Sequence, residues 1–184
     1  AGYKWLCGPY ATGFCWIRPE VRQRLQYNHA YWQAVLNESQ LNSVEPISDF
    51  ELTSARHYDM FATANFFNYL PWHASVTYFE KLGMEKVAQY NQQLVGMIID
   101  GVDKSHFSFI SPTEPDQRTN LVVLTCQNPE QNEAVFNRLK EAGIFGAFWK
   151  GNIRVSPHIH NTRNEIDRFI RVINSFFAEP KVSA

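Results

Sequence analysis

Residues 2–18 read GYKWLCGPYATGFCWIR and place a lysine shortly before a glycine-rich turn. The Gly-Pro pair at 8–9 is a turn signal, because proline fixes its own φ angle and glycine tolerates conformations that other residues avoid. After a further glycine, the apolar run at residues 14–17 predicts a short buried strand. Lys4 therefore precedes a tight turn that leads into a strand.

Lys4 has chemical potential but no distinctive charge pattern around it. It stands between a flexible glycine and the apolar pair Trp5-Leu6, with no acidic residue nearby in the sequence. Burial disfavours the charged ammonium form of a lysine, and the neutral amine is the form that attacks an aldehyde to make an imine. Most lysines are nevertheless solvated at the surface, so the spacing alone favours an ordinary exposed side chain.

The composition indicates a folded chain without an overall electrostatic preference. Of 184 residues, 45% are hydrophobic and 15% aromatic, which excludes a disordered or collagen-like chain. The formal net charge is -1, so no global basic field would attract nucleic acid or anionic lipid. No apolar run approaches the roughly 20 residues that cross a bilayer. We therefore predict neither a nucleic-acid nor a membrane partner.

The cysteine and histidine patterns favour neither disulfides nor a metal centre. Cys7, Cys15 and Cys126 are an odd set without a CxxC spacing, which is typical of a reducing compartment, so the cytoplasm is the default location. His158 and His160 would point the same way on a strand, but no third ligand has suitable spacing. We expect a hydrogen-bonded structural pair and no metal.

The C-terminal hundred residues predict an antiparallel sheet covered by helices. Helical spacing is followed by two strand-like runs, an amphipathic helix, a hairpin and a last helix. A glycine between the first two helical segments is a natural helix stop, and Thr162 to Glu165 form a capping box at the last helix. The predicted elements are helices at 72–82 and 84–104, strands at 106–110 and 121–126, a helix at 130–142, a hairpin over 145–156 and a helix from 162.

Three segments resemble the class V aminotransferases, pyridoxal-phosphate enzymes of fold type I. Residues 2–18 resemble the cofactor-lysine segment K-W-L-x-G-P-x-G-x-G-F, with Ala11 where glycine is usual. Residues 55–67, ARHYDMFATANFF, resemble R-x-x-E-x-G-T-x-N, and residues 153–167, IRVSPHIHNTRNEID, resemble R-x-S-x-H-x-Y-N-T-x-E-E-I-D. Departures in the second segment are Ala62 for glycine and one extra residue between it and Asp59, which lies near the acidic position. In the third segment, His160 replaces the tyrosine and Asn164 the first glutamate. The three matches are in the family's order and span nearly the whole chain.

The resemblance implies a role for each matching residue. Lys4 would hold pyridoxal 5′-phosphate as a Schiff base and, once released, move a proton between the substrate Cα and the cofactor. Thr63 would offer its hydroxyl and backbone N–H to the cofactor phosphate, commonly in the partner subunit's site, which implies a homodimer. Arg154 would clamp the carboxylate of an amino-acid or amine substrate. Without the resemblance, Thr63 is interpreted as a loop threonine that caps a helix, and Arg154 is interpreted as a surface arginine in a weak ion pair.

The fold implied by the resemblance is α/β, the C-terminal part of a pyridoxal-phosphate-dependent transferase. Residues 1–72 would end the large domain, 73–83 would form a connecting helix and 84–184 would be the small α+β domain. In the family, the carboxylate for the pyridine nitrogen, the group over the ring and most phosphate donors lie upstream of the lysine. We therefore expect a longer enzyme, of which these residues alone bind cofactor poorly.

The resemblance leaves the reaction open within one class. A class V aminotransferase is the first expectation, with an epimerase or β-lyase of the same fold as alternatives. The last motif most closely resembles a branch that includes isopenicillin N epimerase-like proteins. Cysteine desulfurases need a nucleophilic cysteine shortly before the arginine, and residues 139–153 contain none. Outside the class, a non-catalytic α+β interaction module and a pseudoenzyme that keeps the fold and dimer interface remain alternatives.

Overall fold

Two compact units, Ala1–Tyr78 and Phe79–Ala184, make up the chain. The structure is a computed structural model and describes residues 1–25 and 65–178. Thr63 lies outside the described residues. None of the helices in the described part combines the length and apolar character needed to cross a membrane. The described helices are α1 (Pro19–Arg22), α2 (Phe66–Leu82), α3 (Met84–Gly101), α4 (Asn132–Glu141) and α5 (Arg163–Ala178), and the strands are β1 (Phe107–Phe109), β2 (Val122–Cys126), β3 (Ala147–Trp149) and β4 (Asn152–Val155).

The strand predicted at residues 14–17 is absent from the first unit. These residues have no regular secondary structure, and Phe14 and Trp16 are 75% and 72% exposed. An extended segment becomes a strand only when a neighbouring strand takes up its N–H and C=O groups. In the described part of the chain, no strand lies beside this segment. The apolar run therefore remains an exposed connection that leads into α1.

Helix α2 begins earlier than the apolar spacing predicts. The spacing indicates a helix from residue 72, whereas the helix starts at Phe66 and continues through Pro71. Phe79 is its only buried residue among those described, and Val76 is 39% exposed. The residues of α2 that contact residues 1–13 are instead Asn68, Trp72 and Ser75, a tryptophan and two polar side chains that apolar periodicity does not reveal.

Gly83 separates α2 from α3, as predicted. Its φ of 84° lies in the left-handed region, where glycine carries no side-chain penalty. The backbone N–H of Gly83 still donates to the carbonyl of Phe79 at 3.1 Å. Helix α3 then presents a continuous buried face that includes Leu94, Val95 and Ile98. The predicted sequence of helix, stop and helix is confirmed.

The second unit contains the predicted antiparallel sheet, with strand order β1-β2-β4-β3. Val123 lies opposite Arg154, and Leu124 lies opposite Ile153. Leu124 and Ile153 are fully buried and pack with residues of the three longer helices of this unit. Because side chains alternate along a strand, Arg154 and Val123 lie on the opposite face from this core. The expected fold class, an antiparallel sheet covered by helices, is confirmed.

Local turn chemistry determines how β3 and α5 are connected to their neighbours. Lys150 and Gly151 both have positive φ angles, 48° and 76°, as a two-residue type I′ hairpin turn requires. At the start of α5, the carboxylate of Glu165 accepts a hydrogen bond from the Thr162 N–H at 2.7 Å, and the Thr162 hydroxyl accepts one from the Glu165 N–H at 3.3 Å. The predicted hairpin and capping box are both confirmed.

Asn132 joins three segments inside the second unit. Its side chain is 1% exposed and lies at the first position of α4. Its Oδ1 accepts a hydrogen bond from the Cys126 N–H at 2.7 Å, and its Nδ2 donates to the Thr125 hydroxyl and to the Gly151 carbonyl, both at 2.8 Å. One amide group therefore links α4 to the end of β2 and to the β3-β4 turn.

Candidate functional site

Lys4 lies in a series of turns formed by residues 1–13, which we call the lysine loop. The Lys4 side chain is exposed, and its Nζ is 5.5 Å from the centroid of the Tyr3 ring. Tyr3 in turn stacks on Tyr10 with a centroid separation of 4.7 Å. Trp5 and Leu6 are half-buried, and Lys4 itself is exposed, as its spacing alone favours. No carboxylate among the described residues forms an ion pair with Lys4.

Arg154 occupies the middle of β4. It pairs with Val123 on one side and with Ala147 on the other, and its side chain is partly buried. Its guanidinium forms no ion pair or hydrogen bond with another residue of the described ranges. The alternative of a surface arginine in a weak ion pair therefore has no support in the described part of the chain. An unpaired, half-buried guanidinium has the charge and geometry to bind a carboxylate.

Gly146 lies directly against the backbone of Arg154. A Cβ atom at residue 146 would come within 2.8 Å of the Arg154 carbonyl oxygen and 3.5 Å of Val155. Because the nearest atom belongs to the backbone of a strand, it cannot rotate away. The position of β4 at Arg154 thus requires a residue without a side chain, glycine, at position 146. The sequence offers only one local signal for this role, a glycine directly before the residues of β3.

The two histidines form a ring stack beyond the end of β4. The rings of His158 and His160 are 5.6 Å apart and inclined by 18°. His158 is buried with its ring edge-on to Phe79, whereas His160 is exposed. The backbone N–H of His158 donates to the side-chain oxygen of Asn161 at 3.0 Å. Among residues 1–25 and 65–178, no group of three or more potential His, Cys, Asp or Glu ligands could hold a metal ion.

The three cysteines have different environments. Cys7 and Cys15 are exposed free thiols, and Cys126 is buried at the end of β2. Burial raises the pKa of the Cys126 thiol from 9.0 to about 11, because the thiolate would lose its hydration. Cys126 therefore remains protonated at neutral pH and is a poor nucleophile.

At pH 8 we expect Cys7 and Cys15 to react rapidly with a thiol reagent and Cys126 to react only after unfolding. The thiol of Cys126 keeps its proton in the native state up to a pKa of about 11, but loses it near 9.0 when unfolded. Its contribution to the free energy of unfolding is thus complete below pH 9 and falls as the pH rises towards 11. Thiol counting with and without urea tests the first point. Unfolding curves from pH 8 to 11, with Cys126→Ala as control, test the second; three rapidly reacting native thiols would contradict both.

The residues present fit the chemistry of pyridoxal phosphate and an amino acid. Lys4 supplies an exposed amine that an aldehyde can reach, and no carboxylate of the described ranges pairs with it. Arg154 supplies a cation for a carboxylate, and no residue in 1–25 or 65–178 pairs with its guanidinium. Lys4 belongs to the first unit and Arg154 to the second. Thr63, the predicted phosphate contact, lies outside the described residues.

Two known proteins are similar to the chain over most of its length. No protein-family profile matches it. It is 23% identical over 180 residues to an uncharacterized aminotransferase of Schizosaccharomyces pombe, which covers 94% of the chain and 43% of the relative. It is 21% identical over 185 residues to a "Probable cysteine desulfurase" of Pyrococcus abyssi, with 94% and 44% covered. The chain thus spans less than half the length of these relatives.

Solved structures of one enzyme share the fold. The cystine C-S lyase C-DES, in complex with its reaction product cysteine persulfide, aligns with a TM-score of 0.71 at 20% identity, covering 94% of the chain and 45% of the enzyme. A lysine-to-alanine mutant of C-DES, with glycine covalently linked to its PLP cofactor, aligns with a TM-score of 0.72 at 19% identity, covering 94% and 44%. The chain therefore shares the fold of the part of C-DES that it covers, which is less than half of that pyridoxal-phosphate-binding enzyme.

Proposed function

We propose that the chain is the C-terminal part of a pyridoxal-phosphate-dependent aminotransferase. The half-buried Arg154 guanidinium, which no residue of the described ranges neutralises, carries the proposal. Partial burial of a cation without a carboxylate partner costs desolvation energy, which a bound carboxylate would offset. The aminotransferase relative and the shared fold support the same reaction class. In this proposal, the large domain ends with residues 1–72, a connecting helix follows at residues 73–83, and the small α+β domain consists of residues 84–184.

Each proposed residue has one chemical task. When bound, pyridoxal phosphate supplies an electron sink that stabilises negative charge at the substrate Cα. The Lys4 amine would hold the cofactor covalently and, once released by substrate, would take the proton from Cα and deliver it to the cofactor carbon. Arg154 binds the substrate carboxylate through two parallel N–H donors, which orients Cα. Thr63 binds the cofactor phosphate through its hydroxyl and backbone N–H.

The quaternary state and the location belong to the same proposal. We propose a homodimer in which Thr63 acts at the partner subunit's site, as the resemblance to class V enzymes implies. A cytoplasmic location is supported by two exposed thiols, Cys7 and Cys15, because exposed thiols persist in reducing compartments.

Cleavage of a C–S bond is the second candidate function. The fold likeness to the cystine C-S lyase C-DES favours it, as does the cysteine desulfurase relative. The protonated Cys126 is not suited to accept sulfur, and residues 139–153 contain no cysteine. A lyase that releases its sulfur product without a cysteine nucleophile agrees better with these residues than a desulfurase does.

Covalent labelling of Lys4 tests the cofactor assignment. The full-length protein is incubated with pyridoxal phosphate and reduced with borohydride, which converts an imine into a stable secondary amine. Mass spectrometry of the tryptic peptides is expected to locate the label on Lys4 and on no other lysine. Residues 1–184 alone serve as a comparison and are expected to label weakly. An unlabelled Lys4 in the full-length protein would favour a non-catalytic interaction module or a pseudoenzyme.

Product analysis separates the two candidate reactions. Transamination needs an oxo-acid acceptor and releases no ammonia, whereas C–S lysis of cystine or cysteine releases ammonia without an acceptor. We expect amino-group transfer to an added oxo acid from the full-length protein. Ammonia release that does not depend on an acceptor would favour the lyase instead.

A further inference from the structure

We propose that Trp72 is a positioning residue for Lys4 and holds the lysine loop, residues 1–13, in its observed conformation. Trp72 lies on α2, 68 positions after the lysine, and none of the three motifs includes it. The role at Lys4 rests on the proposed function, whereas the anchoring of the loop is a property of the structure alone. Two independent sets of contacts support the assignment.

The indole of Trp72 fills the space that two glycines of the lysine loop leave free. A Cβ atom at Gly8 would lie 2.5 Å from Cε3 of Trp72, and a Cβ atom at Gly2 would overlap the far edge of the same ring. Gly2 is buried, and its carbonyl accepts a hydrogen bond from the Gly8 N–H at 2.9 Å. The ring therefore contacts the backbone on both sides of Lys4, and only glycine fits at either contact.

Two polar residues of α2 bind the loop beside the indole. The Nδ2 of Asn68 donates a hydrogen bond to the Tyr10 carbonyl at 2.8 Å, and the Ser75 hydroxyl donates one to the Leu6 carbonyl. Asn68, Trp72 and Ser75 are spaced by four and three residues, so they share one face of the helix. This face of the helix therefore contacts the lysine loop both before and after Lys4.

The contacts restrain the backbone around Lys4 and leave its amine exposed. The Lys4 carbonyl accepts a hydrogen bond from the Cys7 N–H at 3.0 Å, and the Gly2 N–H donates to the Thr12 carbonyl at 2.7 Å. A group that forms a covalent bond and transfers a proton must be held close to its productive geometry, and this precision depends on the residues that support it. Trp72 provides that support through packing rather than through contact with reactants.

Loosening this support is expected to change both loop protection and Lys4 labelling. In full-length Trp72→Ala, we expect backbone amide exchange in residues 2–8 to become at least about tenfold faster, because the ring contacts that oppose opening are lost. The rate of borohydride-trapped labelling of Lys4 should fall several-fold. Trp72→Phe should recover part of both. Trp149→Ala, the same substitution at a half-exposed residue of β3, is the matched control and should alter neither.

A double mutant tests whether Gly8 is needed because of Trp72. Gly8→Ala alone should speed exchange and slow labelling, since its Cβ would meet the indole. In the Trp72→Ala background the indole is gone, and the nearest remaining contact of that Cβ is the Gly2 carbonyl at 3.1 Å. Gly8→Ala should therefore add much less in that background, a non-additivity typical of residues in direct contact.

The outcomes separate this inference from the proposed function. Unchanged exchange and labelling in Trp72→Ala would overturn the inference, as would additive effects of Trp72→Ala and Gly8→Ala. If the wild-type protein carries no label on Lys4, the proposed function fails, and amide exchange in the same variants still decides whether Trp72 anchors the loop. Should Trp72→Ala not fold, the comparison of Trp72→Phe, Gly8→Ala and their double mutant takes its place, with the same requirement of non-additivity.

Discussion

Arg154→Lys is expected to lower kcat/KM for an amino-acid substrate by roughly 10- to 100-fold, because a charge-assisted hydrogen bond contributes about 1.5–3 kcal/mol and lysine cannot reproduce the bidentate pair. Lysine keeps the positive charge, so the loss reports on the fork geometry of the guanidinium. Arg154 is available for this role because no residue within the described ranges forms an ion pair or hydrogen bond with its guanidinium.

The carboxylate dependence of this loss identifies its cause. Binding of 2-aminoisobutyrate, which has no α-proton and is not turned over, is compared with binding of isopropylamine, which lacks its carboxylate. Arg154→Lys should weaken only the former. Arg171→Lys, at an exposed position of α5, is the matched control. Unchanged amino-acid saturation in Arg154→Lys would remove the carboxylate role from Arg154.

Gly146→Ala is expected to weaken binding of the carboxylate-containing ligand selectively, but less than Arg154→Lys does. The added Cβ would displace the Arg154 carbonyl, from which it would be only 2.8 Å away, and so move the start of the arginine side chain. Binding of 2-aminoisobutyrate should weaken less than in Arg154→Lys, with isopropylamine unaffected. Equal losses for both ligands would indicate a general disturbance of the fold instead.

Most elements between residues 84 and 178 could be predicted from the sequence because their determinants are local. The stop at Gly83, the hairpin turn at Lys150 and the capping box at Thr162 each depend on neighbours within a few residues. Because side chains alternate along a strand, the sequence also predicts that Arg154 lies on the other face of the sheet from Ile153, which is buried. Local signals of this kind are readable without knowing the tertiary structure.

The lysine segment shows where such signals fail. Residues 14–17 have the composition of a strand, but pairing needs a partner from elsewhere in the chain, which apolar runs do not specify. The anchoring of Gly8 by Trp72 joins residues 64 positions apart. Likewise, the sequence around Lys4 does not specify how far the side chains of Trp5 and Leu6 shield the lysine amine from solvent. These features depend on packing across long sequence separations, and only the structure reveals them.

Asn132→Ala is expected to lower the free energy of unfolding by roughly 3 kcal/mol, because a buried polar group left without its partner costs about 1–3 kcal/mol. The substitution removes the acceptor of the Cys126 N–H and the donor to the Gly151 carbonyl. Urea unfolding should show a lower midpoint at unchanged slope, since the same surface is exposed. A loss below about 1 kcal/mol would mean that water replaces the side chain.

Asn91 provides the opposite case and therefore the sharpest control for Asn132. It is 2% exposed on α3, and neither its Nδ2 nor its Oδ1 has a hydrogen-bond partner in the described part of the chain. Asn91→Leu keeps the branching and number of side-chain heavy atoms and removes a polar group without a described partner, so it should raise the free energy of unfolding by about 1 kcal/mol. If burial of an amide were favourable in itself, both substitutions would destabilise. If hydrogen bonding determines the effect, Asn132→Ala lowers and Asn91→Leu raises the free energy of unfolding. Destabilisation by Asn91→Leu would instead show that a buried water forms hydrogen bonds with the Asn91 side chain.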